Sequence, residues 1–353
     1  MDSRQHSRHR AQSVRVGRGF LCRSVPAAVT VARLRRLLPA ALCLLLAAAG
    51  YRLTDGRAVP AEGTIRYVAF DVPAAALSRA LEADVRTEGE IDWVDLLAAL
   101  ACRYGGDWSN YRQTDLDAAV AERERGQNTA EQSAYYAYYR AAYGAVLDGL
   151  VGDFSEQQTD GAGNLVWNRQ YGLKAFCPIA AGFCYSESDD FGAARSYGYR
   201  RRHLGHDMMG LTGTPIVAVE SGTVAVLGWN QYGGWRVGIR SDDGRRYWYY
   251  AHLRQNRPYA AGLAEGQRVR AGDVIGYMGR TGYSATENVS NLVTPHLHIG
   301  LELIFDESQF ESDNEIWVNL YPLMQVLARH TCETVRAADG EHTRRYAFEE
   351  GTA

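Results

Sequence analysis

No apolar stretch in this sequence reaches the roughly 20 residues that a helix needs to span a bilayer. The longest one covers residues 37–50 and follows a segment with nine arginines and a single acidic residue. A basic segment, a short apolar run and the alanines at 47–49 are typical of a secretory signal. An uncleaved anchor with its arginine-rich end in the cytoplasm would also obey the positive-inside rule. Residues 1–51 are therefore predicted to be a basic tail with a signal or membrane-anchor segment. Both alternatives place the rest of the chain outside the cytoplasm, either membrane-anchored or secreted.

Cysteine is scarce, with six residues in a chain of 353, and their spacing matches no zinc ribbon. In an exported protein, disulfides between the cysteines beyond residue 51 could persist. A disulfide that closes a small loop between Cys177 and Cys184 and a set of free buried thiols are both compatible with the spacing. The four cysteines concerned are Cys102, Cys177, Cys184 and Cys332.

The body of the chain also lacks an excess of basic charge. The net charge is -3 although the first 36 residues are strongly basic, so the remainder is acidic. We therefore expect no nucleic acid as a partner of the folded part. The length is sufficient for two domains with their own cores.

Helical patterns occupy the first part of the body. Residues 52–63 are polar and contain glycine and proline, which predicts a linker. Asp71 can cap a first helix that has Pro73 in its first turn, and a second helix begins at residue 91 and ends at Gly105. A third covers residues 116–124. Asn128 and Glu131 predict a capping box for a fourth helix that runs to about residue 150. We predict a small helical domain of unknown role over residues 64–150.

A stripe of tyrosines marks that fourth helix. Tyr135, Tyr139 and Tyr143 lie at i, i+4 and i+8 and so share one face. Such a stripe usually belongs to the core, with the phenol hydroxyls at its rim. Stacking on sugar rings is the alternative, and it gives the hypothesis of a saccharide-binding helical module carried on an inactive domain.

Predicted strands dominate the second half of the chain. Residues 151–184 are predicted to be a connecting segment without strands. Six segments beyond residue 215 have the composition and turn signals of strands, with no helix between them, which favours a mainly antiparallel sheet. They cover residues 216–220, 222–229, 235–240, 247–252, 274–278 and 296–304. Residues 319–353 are predicted to form a helix over 320–335 and a frayed polar tail. The fold class is thus α+β, a small N-terminal helical domain followed by a mainly antiparallel β-sheet domain over residues 185–318.

Five of the nine histidines lie between residues 201 and 302. If residues 203–207 form an extended strand, His203, Gly205 and Asp207 point the same way, and Gly205 leaves room for an ion. By the same rule, His296 and His298 project together from one strand. Three of these groups, with a water in the fourth position, would form a tetrahedral catalytic zinc site.

These motifs resemble those of the lysostaphin-type (LytM-like) zinc metalloendopeptidases of bacterial cell walls, which carry a His-x-x-x-Asp segment and a later His-x-His. Further segments follow in the family's order, and the resemblance covers roughly residues 185–305. It implies a catalytic domain of the lysostaphin/LytM type that binds one zinc ion and hydrolyses peptide bonds in peptidoglycan stem peptides or cross-links. The partner would be a peptidoglycan peptide, with membrane association through the N-terminal segment or secretion to the cell wall. The additional segments are residues 191–195, 213–218, 222–224, 250–253, 266–276 and 279–282.

The resemblance also implies roles for five residues. His203, Asp207 and His298 would bind the metal. His296 and His252 would act on the water and on the developing oxyanion, and which residue does which is left open.

Three departures from the family's pattern leave every ligand in place. His206 stands where the family usually has an aliphatic residue, the loop over residues 283–294 is longer, and Glu302 lies farther from His-x-His than the family's acidic residue. By strand parity His206 should face away from Asp207. Glu302 should share a face with His298, where it could orient a ligand, although a solvated or structural carboxylate is the expected interpretation.

Arg195 and the histidines outside the motif region also have interpretations that involve no role in a site. Arg195 could steer a peptide carboxylate or form a structural ion pair. The histidines outside the motif region are predicted to be plain surface residues; they are His6, His9, His330 and His342.

A catalytically silent wall-binding or scaffold protein on the same fold is the alternative function. Inactive relatives usually lack a ligand, whereas this chain keeps all of them.

Overall fold

The computed structural model describes residues 65, 68–197 and 199–351. The predictions for residues 1–51 and for the linker over 52–63 fall outside these residues, as do His6 and His9. In the described part of the chain, no helix is long and apolar enough to cross a membrane.

Four α-helices open the described region and a fifth lies near its C-terminal end. In the second helix, the Asp92 carboxylate accepts hydrogen bonds from the backbone N–H groups of Val94 and Asp95. The same helix ends where Gly105 adopts a φ of 60°, as its glycine signal predicts. The helices are α1 (Ala74–Arg86), α2 (Trp93–Tyr104), α3 (Gln113–Glu124), α4 (Tyr136–Leu147) and α5 (Tyr321–Leu327). Short 3-10 helices cover Trp108–Asn110, Thr129–Gln132 and Glu307–Gln309.

Two predicted helix starts are wrong. Helix α1 begins directly after Pro73 and has no side-chain cap, so Asp71 does not cap it. The predicted fourth helix is interrupted, because the Asn128 amide donates to Glu131 Oε1 and to the Tyr136 hydroxyl instead of capping backbone N–H groups. A 3-10 turn follows Asn128, and α4 starts only at Tyr136.

The tyrosine stripe on α4 is mostly core. Tyr139 and Tyr143 are buried, and Trp108 Nε1 donates a hydrogen bond of 2.7 Å to the Tyr143 hydroxyl. Tyr135 is 44% exposed. The core interpretation is therefore confirmed for two of the three residues.

Seventeen strands follow in the described residues. They are β1 (Val151–Thr159), β2 (Leu165–Leu173), β3 (Ser186–Glu187), β4 (Ala194–Tyr197), β5 (Tyr199–Arg202), β6 (His206–Met209), β7 (Pro215–Val217), β8 (Gly222–Asn230), β9 (Gly234–Ser241), β10 (Arg246–Ala251), β11 (Arg268–Val269), β12 (Val274–Tyr277), β13 (His296–Leu303), β14 (Ile316–Trp317), β15 (Thr334–Arg336), β16 (His342–Arg344) and β17 (Phe348–Glu350).

The main sheet has eight strands in the order β11-β8-β9-β10-β13-β6-β3, with β14 also paired to β13. Every pair in it is antiparallel. The predicted α+β class with a mainly antiparallel sheet is confirmed. The strand that carries His-x-His, β13, lies at the centre between β10 and β6.

The connecting segment and the C-terminal tail were predicted wrongly. Residues 151–173 form the hairpin β1–β2, and β17 pairs with the free edge of β1. Phe348 in β17 is buried, with its ring 5.2 Å from that of Phe154 and 5.6 Å from that of Phe176. The predicted helix over residues 320–335 ends at Leu327, and a strand follows at Thr334. The apolar side chain of Phe348 anchors a tail that polar composition alone would leave frayed.

The helices pack directly on the main sheet. Leu97 of α2 and Trp248 of β10 are both fully buried and belong to one hydrophobic core. Buried Arg246 donates to Glu220 Oε1 at 2.8 Å and to the Ala145 carbonyl of α4 at 3.2 Å. The apolar core thus continues across the boundary predicted between residues 150 and 151, and it supports the sheet from the side opposite the cavity described below.

Candidate metal centre and active site

Strand pairing brings the two histidine motifs together. In the register of β13 against β6, His298 lies opposite Asp207, and in the register against β10 it lies opposite Ala251. His252 follows β10 directly, but its φ of 61° departs from strand geometry, and its ring lies 5.8 Å from that of His298. His296 shares a face of β13 with His298 because side chains alternate along a strand.

His203 reaches the cluster from a bend. Strand β6 starts only at His206, so the predicted extended strand over residues 203–207 is wrong. The space that Gly205 leaves is taken by the His298 ring, since a Cβ at residue 205 would lie 2.5 Å from that ring. Gly205 does leave space, as predicted, but the His298 side chain occupies that space instead of the ion.

Three side chains present donor atoms to one point. His203 Nε2 and His298 Nδ1 each lie 3.0 Å from Asp207 Oδ1. The two ring nitrogens are 2.8 Å apart. In the part of the chain that the structure describes, this is the one group of three or more metal-ligating residues close enough to hold an ion.

The spacing of these atoms fits zinc. Zinc bonds of about 2.0–2.2 Å place the ligand atoms of a tetrahedral site roughly 3.3 Å apart. The observed separations of 2.8 Å and 3.0 Å are close to that value. Two imidazoles and one carboxylate are also a donor set that zinc prefers, with a fourth position left for water.

The electrostatics of the cluster favour an anionic Asp207 and a neutral His298 imidazole. Burial alone would raise the pKa of Asp207, but hydrogen bonds with His203 and His298 hold that pKa far below its usual range. Burial lowers the pKa of His298, against the opposing effect of Asp207. A neutral imidazole is the form that binds metal.

Asp190 and Arg195 hold the ligands from behind. His203 Nδ1 lies 3.1 Å from Asp190 Oδ2 and 3.1 Å from the Asp190 carbonyl oxygen. Arg195 Nη2 lies 2.7 Å from Asp190 Oδ2 and 3.2 Å from Asp207 Oδ2. Of the two roles considered for Arg195, the structure shows the ion pair. Asp190 was not identified from the sequence, although it lies immediately before the segment 191–195 that carries the family resemblance.

His252 and His296 face each other beside the triad, with ring centroids 4.7 Å apart. His252 Nδ1 is 2.8 Å from the Thr281 carbonyl oxygen, and His296 Nδ1 is 2.9 Å from the Thr294 carbonyl oxygen. Because a carbonyl only accepts, each Nδ1 carries a proton, and in the neutral form of each ring Nε2 keeps a lone pair. His296 Nε2 lies 3.8 Å from Asp207 Oδ1.

These histidines and the triad line one cavity of about 610 Å³. Its other end is lined by Glu302, Glu311, Glu315 and Trp317. Arg201 and Tyr283 also line it, and Arg201 donates a hydrogen bond of 2.7 Å to the Tyr283 hydroxyl. Neither residue was singled out from the sequence, since nothing in their local pattern signals a site.

The other three histidines that the structure describes lie outside the cavity and contact neighbouring side chains or backbone. His206 is buried against Glu187, with Nε2 at 2.9 Å from a carboxylate oxygen, and does not line the cavity. His330 and His342 are half-buried and lie outside the cavity. His330 stacks on Phe176 with centroids 4.5 Å apart, and the backbone N–H of His342 donates to the Tyr277 hydroxyl.

The predicted cysteine alternatives are also resolved. All four described cysteines are free, as the free-thiol interpretation expects, but only two of them are buried. Cys177 and Cys332 are buried, and Cys184 is exposed.

Of the two expected interpretations of Glu302, a solvated and a structural carboxylate, the structure excludes the first. Glu302 is fully buried, not solvated, and neither carboxylate oxygen has a hydrogen-bond partner among the described residues.

The sequence has clear relatives. Residues 201–310 match the profile described as Peptidase family M23. The L-Ala--D-Glu endopeptidase of Bacillus subtilis (strain 168) is 41% identical over 117 residues, which are 33% of this chain and 34% of that protein. Lysostaphin of Staphylococcus simulans is 36% identical over 97 residues, 27% of this chain and 17% of that protein. A solved structure of lytM from Ruminococcus gnavus is 23% identical, covers 76% of this chain and 91% of its own, and has a TM-score of 0.49.

The matched segment contains the triad, His252 and His296, whereas Asp190, Arg195 and the cavity residues Glu311, Glu315 and Trp317 lie outside it. It spans about a third of the Bacillus subtilis relative and a smaller part of lysostaphin. The resemblance to lysostaphin-type metalloendopeptidases is therefore confirmed at the level of the domain: residues 201–310 of this chain form a domain of peptidase family M23.

Proposed function

We propose that this protein is an exported, zinc-dependent endopeptidase that hydrolyses peptide bonds in peptidoglycan stem peptides or cross-links. The observation that carries the proposal is the convergence of the triad and two further histidines on one cavity. Two relatives support a peptide substrate through their names, an L-Ala--D-Glu endopeptidase and a glycyl-glycine endopeptidase.

His203, Asp207 and His298 would hold one zinc ion in this proposal. When bound there, zinc would lower the pKa of a coordinated water toward 7 and polarise the scissile carbonyl. Asp190 and Arg195 act as positioning residues, because their contacts fix the His203 ring and the second Asp207 oxygen.

His252 and His296 would handle the proton and the oxyanion. Burial lowers the pKa of His252 well below its ordinary value, with His296 and His298 adding to the effect. Its Nε2 is therefore an unprotonated acceptor at neutral pH, as a general base requires. A proton taken from water by one ring can pass to the leaving amine. The other ring stabilises the oxyanion through a hydrogen bond once its Nε2 is protonated, because its Nδ1–H is held by a backbone carbonyl.

The complete donor set favours an enzyme over a scaffold. A silent binding protein would have no need to keep three convergent ligands, two of them buried, beside two further histidines and the ion pairs that orient them. Buried charged groups cost stability unless they are paired, so their presence in one cavity calls for a function.

Cleavage of purified peptidoglycan by the full-length, zinc-loaded protein tests this function directly. Mass spectrometry of the released fragments should show new amino and carboxyl termini, and their identity names the bond. A chelator and the variant His203→Ala should each abolish these termini. Intact peptidoglycan after prolonged incubation with fully zinc-loaded protein would refute the proposed activity.

Export is tested separately. The arginine-rich segment ahead of the apolar run over residues 37–50 supports an orientation with everything beyond residue 51 outside the cytoplasmic membrane. A phosphatase reporter that is active only after export, fused after residue 60, should be active. A fluorescent signal from a cytoplasm-only reporter at the same position, with no phosphatase activity, would contradict export.

A further inference from the structure

The cavity continues well beyond the metal centre. Along β13, residues 296, 298, 300 and 302 share the cavity face, so Glu302 lies on the same face as His298. Four residues at a rise of about 3.3 Å place the two Cα atoms roughly 13 Å apart. Glu302 therefore marks a second position in the cavity that does not contact the zinc ligands directly.

Aromatic rings connect the two positions. The Tyr249 ring lies 5.8 Å from that of His298 and 6.1 Å from that of Trp317. Trp317 covers the bare backbone at Gly300, where a Cβ would lie 2.6 Å from its ring. An elongated ligand that starts at the metal centre would pass along this aromatic wall before it reaches Glu302.

The carboxylates at this end outnumber the available cations. Arg236 pairs with Glu311 at 2.7 Å, and Arg240 pairs with Glu307 outside the cavity. Glu315 accepts a hydrogen bond of 2.7 Å from Trp317 Nε1 but forms no ion pair with a described residue. Glu302, fully buried, forms no ion pair with a described residue and no hydrogen bond of ordinary geometry, although the backbone N–H of Glu311 lies close enough to act on its charge.

A second buried glutamate, Glu220, has the hydrogen-bond partners expected of a structural carboxylate. Glu220 is also inaccessible, yet Arg246 and Trp248 both donate hydrogen bonds to it, at 2.8 Å and 2.9 Å. Leaving a buried polar group without a partner costs about 1–3 kcal/mol, and more for a charge. Glu302 lacks such partners and lines a cavity, which indicates that its partner comes from a ligand.

We propose that Glu302, Glu315 and the Trp317 ring form a subsite for a primary ammonium group of the substrate. This inference rests on the proposed peptidase function, since it assigns the distal end of the cavity to that enzyme's substrate. An ammonium group offers three donors to carboxylates and is attracted to the faces of aromatic rings. A bare metal ion fits less well, because these carboxylates form no second ion cluster among the described residues.

The distance specifies where the ammonium sits on a peptide. An extended peptide advances about 3.3–3.6 Å per residue, so 13 Å corresponds to roughly four residues. A long aliphatic side chain would shorten that separation by covering part of the distance itself. The subsite therefore selects an amine-bearing side chain a few residues from the bond that is cut.

Binding of the cation is coupled to the protonation of Glu302. Burial raises the pKa of Glu302 to about 8, and the carboxylates of Glu315 and Glu311 add to the increase. The backbone N–H of Glu311 and the Arg240 guanidinium oppose it. Tyr247 faces Glu302 from β10, and Trp317 faces it from β14. An ammonium favours the ionised carboxylate, so binding near pH 7 should release a proton.

A binding assay tests the subsite without relying on catalysis. We would titrate the full-length, zinc-loaded protein with n-pentylammonium and with the neutral 1-pentanol, using calorimetry at pH 7 and pH 9. The ammonium should bind more tightly than the alcohol, and more tightly at pH 9 than at pH 7. Calorimetry at pH 7 in two buffers of different ionisation enthalpy should report proton release.

Glu302→Gln should weaken n-pentylammonium binding at least tenfold and leave 1-pentanol binding unchanged. The matched control is Glu333→Gln, which alters an exposed glutamate outside the cavity and should change neither ligand. Melting curves establish that both variants fold. Equal ammonium affinity in Glu302→Gln and unmodified protein, or equal affinity for amine and alcohol, would overturn the subsite.

A pair of peptide substrates then connects the subsite to catalysis. The pair differs only in lysine against norleucine at the amine-bearing position, and the lysine peptide should have the lower KM in the unmodified protein. Glu302→Gln should remove that difference. If no peptide or peptidoglycan is cleaved while ammonium binding depends on Glu302, the peptidase proposal fails and the cation site stands. If cleavage occurs without any lysine preference or Glu302-dependent binding, the subsite fails alone.

Discussion

Replacing His252 with asparagine tests the chemical role of the imidazole ring while keeping a residue that fits the backbone conformation at position 252. His252 has a φ of 61°, a left-handed conformation that asparagine tolerates better than alanine does. The substitution removes the Nε2 acceptor but keeps a residue suited to that turn. If His252 is the base or the oxyanion partner, turnover should fall by about 10²–10⁴, which corresponds to roughly 3–5 kcal/mol in activation free energy.

The structural cost of the same substitution should be small. The His252 ring contacts the Thr281 carbonyl, and a buried carbonyl that loses its partner costs about 1–3 kcal/mol. That loss lowers the melting temperature by a few degrees and does not unfold the protein at assay temperature. Zinc occupancy should stay near one per chain, because none of the three triad residues is altered.

The assay measures peptidoglycan cleavage, zinc content and melting for His252→Asn beside a matched control. His330→Asn is suitable, because His330 Nδ1 also lies at hydrogen-bond distance, 2.6 Å, from a backbone carbonyl oxygen yet the residue lies outside the cavity. The control should lose stability without losing turnover per folded molecule. If His252→Asn keeps more than a tenth of the activity, or loses zinc in proportion to activity, the catalytic role assigned to His252 is wrong.

Three further predictions concern the metal centre and Glu302. Alanine at any triad position should sharply reduce zinc content measured by atomic emission, since two protein ligands are too few for a tight site; the variants are His203→Ala, Asp207→Ala and His298→Ala. Gly205→Ala should also reduce zinc affinity, because the new Cβ collides with the His298 ring, whereas Gly161→Ala, with nothing nearby, should not. Because folding raises the pKa of Glu302 from 4.5 to about 8, the unfolded chain holds fewer protons between these values, and stability should fall as pH rises through them. Denaturant titrations from pH 4 to 9 should show that Glu302→Gln removes this part of the fall.

The central strands were predictable because their signals are local. Residues 222–229 and 296–304 combine β-branched and other apolar residues with turn signals nearby, and the structure places strands at Gly222–Asn230 and His296–Leu303. Strand parity also anticipated that His296 and His298 share a face. These features depend only on neighbours in sequence, so no tertiary information was needed.

The hairpin at residues 151–173 was missed because its stability is not local. Strand β2 is largely exposed and shows no alternation of buried and exposed residues, so its sequence lacks the usual signal. Its partner β1 is held on its other edge by β17, almost 200 residues later, through the buried Phe348. Only the folded chain reveals that contact.

The bend at His203 was missed for a related reason. Parity within an ideal strand places His203 and Asp207 on one face, and the structure does bring them together, but through a turn at Gly205 that admits the His298 ring. The identity of the cluster followed from residue types, whereas its geometry required knowing which ring fills the space.

Strand order explains why residues from three distant segments form one site. The last strand of the catalytic motif, β13, does not add to the edge of the sheet but inserts between β10 and β6. His298 therefore has Asp207 on one side and the end of β10, with His252, on the other. Continued pairing of the same strand with β14 brings Trp317 opposite Glu302. One central strand thus carries His298, proposed as a metal ligand, together with His296 and Glu302 on a single face, which gives the cavity a fixed direction from the candidate metal centre to the acidic end.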